Sequence, residues 1–294
     1  MEAPARRSRT GRREPGPGGW FVPPEGHSDT SWVSGIYDDP EVYEIACAYR
    51  DIPTETDALL SWAGKHWERD GAPRSVLELA AGPAEHAIEL GRRGLVATAL
   101  DISPAMCGWA GAQAARQGVQ LDVLQGDMRD FTLPSPVDLA LTMLNSACHL
   151  FTLDDMVAHL TSVAANVVPG GLYIMELAHP ADYLTQASRT SSEWTIEQNG
   201  LTADVRWGGP PDFINPVTQV TREHVTISVT YPDGTKRTVT DVVPNRFWTV
   251  TELTAAITLA GSLSVAASYG DFDDTTPVDA PEAWRLILVL RRDA

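Results

Sequence analysis

From Ser75 onward the chain alternates between two rhythms. Short runs of apolar, β-favouring residues occur at Ser75–Leu79, Leu95–Leu100, Leu121–Leu124, Val137–Thr142 and Leu172–Glu176. Between them, Ala84–Arg93, Ser103–Gln117 and Leu153–Val167 carry apolar residues at three- and four-residue spacing. Runs of four to eight apolar residues suit strands buried on both faces, and the wider spacing suits amphipathic helices. Their alternation predicts a parallel sheet wrapped by helices on both sides, joined by right-handed crossovers.

The flanks follow other patterns. Residues 1–28, rich in Arg, Gly and Pro, read as a disordered tail, with order beginning near Trp32. Within 29–70, Val42, Ile45, Ala46 and Tyr49, then Leu59, Leu60, Ala63 and Trp67, predict two helices interrupted around Asp51–Thr54 by Pro53. The core spans 71–180. In 181–245 the period becomes two: Glu193–Gln198 and Leu201–Trp207 flank Asn199-Gly200, a hairpin signal. Val217–Tyr231 then turns through Pro232-Asp233-Gly234-Thr235 into Lys236–Val243. This predicts an antiparallel β cap inserted into one α/β domain. Residues 246–294 return to the sheet through a helix (Thr251–Leu259) and strands at Ser264–Tyr269 and Trp284–Arg291.

Charge narrows the partners. The net charge of −17 repels phosphate backbones and argues against sequence-independent nucleic-acid binding. No apolar run approaches the ~20 residues of a membrane-spanning helix. The N-terminal Arg pairs are not followed by the apolar stretch of a secretory signal. Cys47, Cys107 and Cys148 are odd in number and widely spaced, which speaks against a disulfide framework or structural zinc and for a reduced, cytoplasmic setting. No acidic ligand set is evident either, because Asn145 and Glu176 do not make one, and no metal is expected.

Three strand ends carry candidate chemistry. The first strand runs into Glu78-Leu79-Ala80-Ala81-Gly82-Pro83-Ala84. Small residues between a strand and a helix let a ligand approach the backbone, although any tight turn favours them. The second strand ends at Asp101, nineteen residues after Gly82, where a carboxylate suits a ribose diol. Asp101 or Ser103 could equally cap the next helix. The third is followed by Gly126-Asp127-Met128, whose acid suits an adenine edge or an ordinary turn. Together they point to an adenosine-type ligand at a topological switch point. A nicotinamide dinucleotide fits poorly, since its glycine fingerprint falls on Ala80, Gly82 and Glu85.

The order and spacing of Glu78-Leu-Ala-Ala-Gly-Pro-Ala, Leu100-Asp101, Gly126-Asp127-Met128 and Val168-Pro-Gly-Gly-Leu-Tyr resemble the motifs of class I S-adenosylmethionine-dependent methyltransferases. The resemblance covers roughly residues 37–180. It departs at Ala80 and Ala84, where the family often has glycines. It implies a Rossmann-like seven-stranded sheet with an N-terminal helical lid and an antiparallel insertion after the fifth strand. Within the family the chain is most similar to small-molecule N-methyltransferases of the glycine and amino-sugar types.

By that resemblance S-adenosylmethionine is the cofactor and S-adenosylhomocysteine the product. Ala80 and Gly82 would line its methionine part, Glu78 would steady the ammonium through water, and Asp101 would hold the ribose. Ile102 would cover an adenine face, or be a plain buried strand-end residue, and Asp127 with Met128 would hold the adenine. Arg50 resembles an arginine that pairs with the cofactor carboxylate; otherwise it pairs with Asp51 or Glu55. The Leu144 carbonyl would receive the ammonium. His149 would face the acceptor, or sit satisfied at a helix start. Tyr37 would orient the acceptor and approach the methyl, or pack within the lid. His179 is a second catalytic candidate that could instead fix the loop before Pro180. Trp32, Trp194, Trp207 and Trp248 are weighed as a cage for a sulfonium and as ordinary core residues.

The expected reaction is direct methyl transfer to a small-molecule acceptor, an amine before a hydroxyl or carbon. A protein of this fold that binds S-adenosylmethionine without methylating, or that only regulates, is the alternative class. The exposed edges of the antiparallel segment leave room for a homodimer.

Overall fold

The computed structural model describes residues 35–184, 191–210 and 212–293. The tail reading of residues 1–28 and the position of Trp32 fall outside them. The five apolar runs form β1 (Ser75–Leu79), β2 (Val96–Asp101), β3 (Leu121–Gln125), β4 (Val137–Thr142) and β5 (Val167–Ala178). With β10 (Leu263–Tyr269) and β11 (Arg285–Arg292) they make one seven-stranded sheet, ordered β10-β11-β5-β4-β1-β2-β3. Neighbours among β1 to β5 are parallel, and β11 runs antiparallel to both β5 and β10. Strand order reverses between β1 and β4, so their carboxyl ends open a crevice suited to a ligand.

Helices cover both faces. Leu160, Val163 and Ala164 of α5 (Leu153–Asn166) and Leu253 and Ala256 of α7 (Val250–Ala260) share one core with Leu79, Tyr173 and Leu288. On the other face Leu59 and Trp62 of α2 (Ile52–His66), Leu90 of α3 (Glu85–Arg92) and Ala110 of α4 (Pro104–Arg116) close over Leu139, Leu141 and Ile174. Each fully buried Leu or Ile contributes about 1.5–3 kcal/mol.

Three boundaries differ from expectation for local reasons. The lid helices part at residues 48–51, before Pro53, which instead sits in the first turn of α2, where Asp51 caps the Thr54 amide at 3.1 Å. A proline there removes no helical hydrogen bond. β5 begins at Val167, because Val167 pairs with Val137 before the register slips between Val137 and Leu139. At that slip Gly171 lies so close to β4 that an added Cβ would stand 2.8 Å from the Asp138 carbonyl oxygen. Gly171→Ala is therefore expected to cost about 1–3 kcal/mol. Urea unfolding would check it, and an unchanged midpoint would show that the strands can part there. A short helix, α6 (Ala181–Leu184), was not anticipated.

The insertion forms a separate antiparallel sheet, β6 (Ser191–Gln198), β7 (Leu201–Gly208), β8 (Val220–Thr230) and β9 (Lys236–Arg246), in that order. Its apolar face, including Val205, Val225, Ile227 and Val243, packs on Ile36 of the 3-10 turn Gly35–Asp38 and on Val42 and Ala46 of α1 (Pro40–Cys47). The cap thus holds the lid.

Candidate functional site

Between β1 and α3 the chain makes a left-handed turn: φ is +48° at Ala80, +53° at Gly82 and +60° at Ala84. Two alanines stand where glycine would be free of strain, and left-handed backbone costs an L-residue about 1–2 kcal/mol. The turn is held from two sides. The Gly82 amide donates to Asp101 Oδ2 at 2.7 Å, while Asp101 Oδ1 accepts from the Ser103 amide at 2.8 Å. Burial pushes the Asp101 carboxyl up, against the pull of those two amides. The Ile102 amide is a third donor to the carboxylate, which leaves one lone-pair position for a ligand. Ser103 is the cap of α4, accepting from Met106 at 3.2 Å, which leaves Asp101 to the turn. Ile102 is 44% exposed, so the plain buried reading of that residue is excluded.

A second strained turn closes β4. Leu144 and Asn145 are consecutive left-handed residues, φ +52° and +61°. The Leu144 amide donates to Glu176 Oε2 at 2.8 Å, and Asn145 Oδ1 accepts from Ala178 at 3.0 Å. The following 3-10 turn, Ser146–His149, carries His149 to the lid, where its Nε2 lies 3.1 Å from the Tyr37 hydroxyl. Burial lowers the His149 pKa to about 4, and the ring also hydrogen-bonds the Pro244 backbone. Burial raises the Tyr37 phenol well above its ordinary value. At neutral pH both are uncharged. The two catalytic candidates from distant parts of the sequence thus meet.

Behind these turns lies an ionic network. Arg50 donates through Nε to Glu55 at 2.9 Å and through Nη1 and Nη2 to Glu176 at 3.2 and 2.8 Å. Arg285 Nε stands 3.0 Å from Glu176 Oε1. Burial opposes the charge on Arg50, but Glu176 and Glu55 outweigh it and raise its pKa. Burial likewise works against a charged Glu176, yet Arg50 and Arg285 hold its pKa below the usual carboxylate range.

A family model described as a methyltransferase domain matches residues 76–171, which run from β1 through the Gly170-Gly171 slip. Residues 76–171 are thus similar to a methyltransferase domain. Cypemycin N-terminal methyltransferase from Streptomyces is 26% identical over 150 residues, which make up 49% of this chain and 60% of that relative. The match therefore spans less than two thirds of the relative's own length. A S-adenosylmethionine-dependent methyltransferase from Clostridium acetobutylicum superposes with a TM-score of 0.72 at 12% identity, covering 86% of this chain and 97% of that one. S-adenosylmethionine-bound CalS10, an amino pentose methyltransferase from Micromonospora echinaspora, superposes at 0.65 with 21% identity, over 85% and 96%.

For other residues the structure decides between the alternatives or adds a partner. His179 spends both ring nitrogens on the loop: Nε2 lies 2.8 Å from the Val278 carbonyl, and Nδ1 accepts from Ala181 at 3.2 Å. It fixes backbone and is removed from the catalytic set. Glu78 Oε2 accepts the Ala87 amide at 2.7 Å and Oε1 faces His86 at 3.4 Å, so Glu78 supports α3 from beneath instead of pointing to a ligand. Arg50 pairs with Glu55, as one alternative held, but it is buried and has Glu176 besides; among the described residues one Nη1 hydrogen stays uncommitted. Asp127 accepts from the Arg129 amide at 2.8 Å and pairs with its guanidinium, an acid in its own turn. Met128 sits half-buried against the core, its carbonyl 2.9 Å from His159 Nδ1.

The tryptophans go elsewhere than a cage. Trp194 donates to the Ala46 carbonyl at 2.8 Å and Trp207 to Glu223 at 2.6 Å, while Trp248 is core, stacked under Arg246. Among the described residues no group of three or more His, Cys, Asp or Glu is arranged to hold a metal. No described helix is long and apolar enough to cross a membrane. Sequence reasoning missed His86, His159 and Arg285. Their signal was weak: a polar residue interrupting an otherwise apolar helix face or strand.

Proposed function

We propose that this protein moves the methyl group of S-adenosylmethionine to the nitrogen of a small-molecule amine. The observation that carries the reading is the uncharged Tyr37–His149 pair at 3.1 Å. An imidazole whose conjugate acid has a pKa of about 4 is a weak base for a hydroxyl group, whose own pKa lies far higher. A neutral amine needs no deprotonation before it attacks. The negative net charge favours approach of a cationic acceptor over an anionic one. The named N-methylating and amino-sugar relatives support the same class.

The residues present suit the cofactor. Asp101 is a fixed carboxylate with one lone-pair position to spare, matched to a ribose hydroxyl. The small-residue turn at Ala80–Gly82 would admit close approach of the methionine part, the Leu144 carbonyl would receive its ammonium, and the remaining Nη1 hydrogen of Arg50 would face its carboxylate. Exposed Ile102 would cover the adenine, and the turn of Asp127 and Met128, where Asp127 pairs with Arg129, would lie at its edge. Bound there, S-adenosylmethionine supplies an activated methyl on a sulfonium and leaves as S-adenosylhomocysteine. The protein's part is orientation, worth about 7–11 kcal/mol when reacting atoms are aligned. Tyr37, held by His149 Nε2, orients the acceptor nitrogen, the lid and cap exclude water, and the proton of the methylated nitrogen passes to solvent. For an acceptor amine R–NH₂, a C–N bond forms as the S–C bond breaks, and the product ammonium then gives up one proton.

Calorimetric titration with S-adenosylmethionine tests the site. Asp101→Ala is expected to weaken binding tenfold or more, about 1.4 kcal/mol. Release of S-adenosylhomocysteine with an amine panel, and none with matched hydroxyl compounds, is the expected outcome for substrate class. Turnover confined to the hydroxyl compounds would replace N- by O-methylation. Binding without turnover on any acceptor would favour a non-methylating role.

A further inference from the structure

Six ionisable side chains form a buried line from the first-strand turn, through the lid, to the far side of the sheet: Glu78, His86, Glu55, Arg50, Glu176 and Arg285. The reaction described above calls on Arg50 alone. Second in the line is His86, in the first turn of α3 and 4% exposed. Its Nε2 lies 2.9 Å from Glu55 Oε2 on α2, and its Nδ1 lies 3.4 Å from Glu78 Oε1 on β1. A carboxylate can only accept, so a neutral ring would turn a lone pair toward one of them. Both nitrogens are protonated in this arrangement. The charge count agrees: three carboxylates are balanced by two arginines only when His86 is an imidazolium. Burial works against that charge, but the bonds to Glu55 and Glu78 prevail and raise its pKa to about 9.

We propose that His86 is a positioning residue for methyl transfer, whose imidazolium clamps the lid's Glu55–Arg50 unit onto the β1–α3 turn and so keeps the lid closed over the cofactor site. The part concerning methyl transfer rests on the reading of that turn as the cofactor site; the clamp itself does not. The clamp has two jaws. Glu78 also takes the Ala87 amide, which ties His86 to the helix that follows the turn. Glu55 also takes the Arg50 guanidinium, which reaches Glu176 and through it the Leu144 amide. Losing one proton at His86 leaves the line with an uncompensated negative charge between Glu55 and Glu78, and the lid is the jaw that can move away.

The pH dependence has a definite sign. A pKa raised on folding gives a contribution that is complete below the ordinary histidine value of about 6.5 and is lost as pH rises through about 9. Glu55, Glu78 and Arg50 bear directly on the ring, while Asp101 of β2 and Asp122 of β3 make no bond to it. Beside it on α3, Glu85 is pushed up to about 7 by burial and by Glu44 of α1. A second lid transition, near pH 7, therefore belongs to Glu85, and the two are separable by their midpoints.

The test uses the full chain in two arms. Without cofactor, hydrogen exchange over residues 40–66, corrected for the intrinsic rate, is followed from pH 6 to 10 in wild type and His86→Gln. Protection in wild type is expected to fall tenfold or more between pH 8 and 10, while β1, β4 and β5 stay protected. The variant is expected to be unprotected throughout that range and to lack the step. A wild-type lid whose protection does not change above pH 8 overturns the clamp, and this result needs no variant to fold. Glu55→Gln serves as a second variant, expected to move the step to lower pH; an unmoved step also counts against the clamp. In the other arm, S-adenosylmethionine is titrated at the same pH values. Wild-type affinity is expected to fall tenfold or more above pH 8, with His86→Gln weak and pH-independent. A lid step without loss of affinity would overturn the positioning role. Absence of cofactor binding at every pH would sink the functional reading, and the exchange arm would still decide the clamp.

Discussion

Glu176→Ala is expected to destabilise the folded protein by about 3–5 kcal/mol, the range for breaking a buried ion pair by removing one partner. Glu176 is fully buried on β5 and accepts from Arg50 at 2.8 and 3.2 Å and from the Leu144 amide at 2.8 Å, with Arg285 Nε at 3.0 Å. Alanine would strand two guanidinium groups and an amide in a left-handed turn. Glu176→Gln retains the shape and an acceptor for Leu144, so a smaller loss is expected, with the difference measuring the charge. Denaturant unfolding at neutral pH reads both. Because the Glu176 pKa is held below its ordinary value, its contribution is present above about pH 4.3 and is lost as pH falls through the folded value. A loss under 1 kcal/mol for the alanine variant would mean that water reaches the arginines once the carboxylate is gone.

His149→Ala is expected to lower kcat by about 10²-fold, the loss that misplacing an oriented reactant by about 1 Å can cause, while S-adenosylmethionine affinity changes little. The contact to Tyr37 at 3.1 Å is lost, and with it the acceptor's orientation. Since burial holds the His149 pKa at about 4, the imidazole stays neutral down to about pH 5. The acid limb of kcat/KM is then set by protonation of the amine acceptor and not by an ordinary histidine near 6.5. Substituting an acceptor amine of lower pKa should move that limb down with it. A limb fixed near 6.5 for every acceptor would contradict the assigned state of His149, and an unchanged kcat in the variant would remove it from the reaction.

How much of this was legible beforehand depends on where the information sits. β1 and β4 lie in the middle of a parallel sheet, covered on both faces, so each reads as a continuous apolar run. The cap was legible for the opposite reason: one face of β6 to β9 is wet, and the side chains alternate. The β5 start was misplaced, because the pairing of Val167 with Val137 depends on a strand thirty residues away. Asp101 was found from its place at the tip of β2, which spacing alone shows. Arg50 was found, but not its partner Glu176, which is 126 residues distant and joins it only when the lid closes on the sheet. His149 and His179 looked alike, each following a strand. Only folding brings the Val278 carbonyl to one and the Tyr37 hydroxyl to the other.

What this sequence by itself determined is the order of elements and the turns at the ends of β1, β2 and β3, because hydrophobic period and turn chemistry act over a few residues. What only the tertiary structure decided is which polar side chains are free to act. That question turns on partners brought together from across the chain, and on burial, which can lower one histidine to about 4 while two neighbouring carboxylates raise another to about 9.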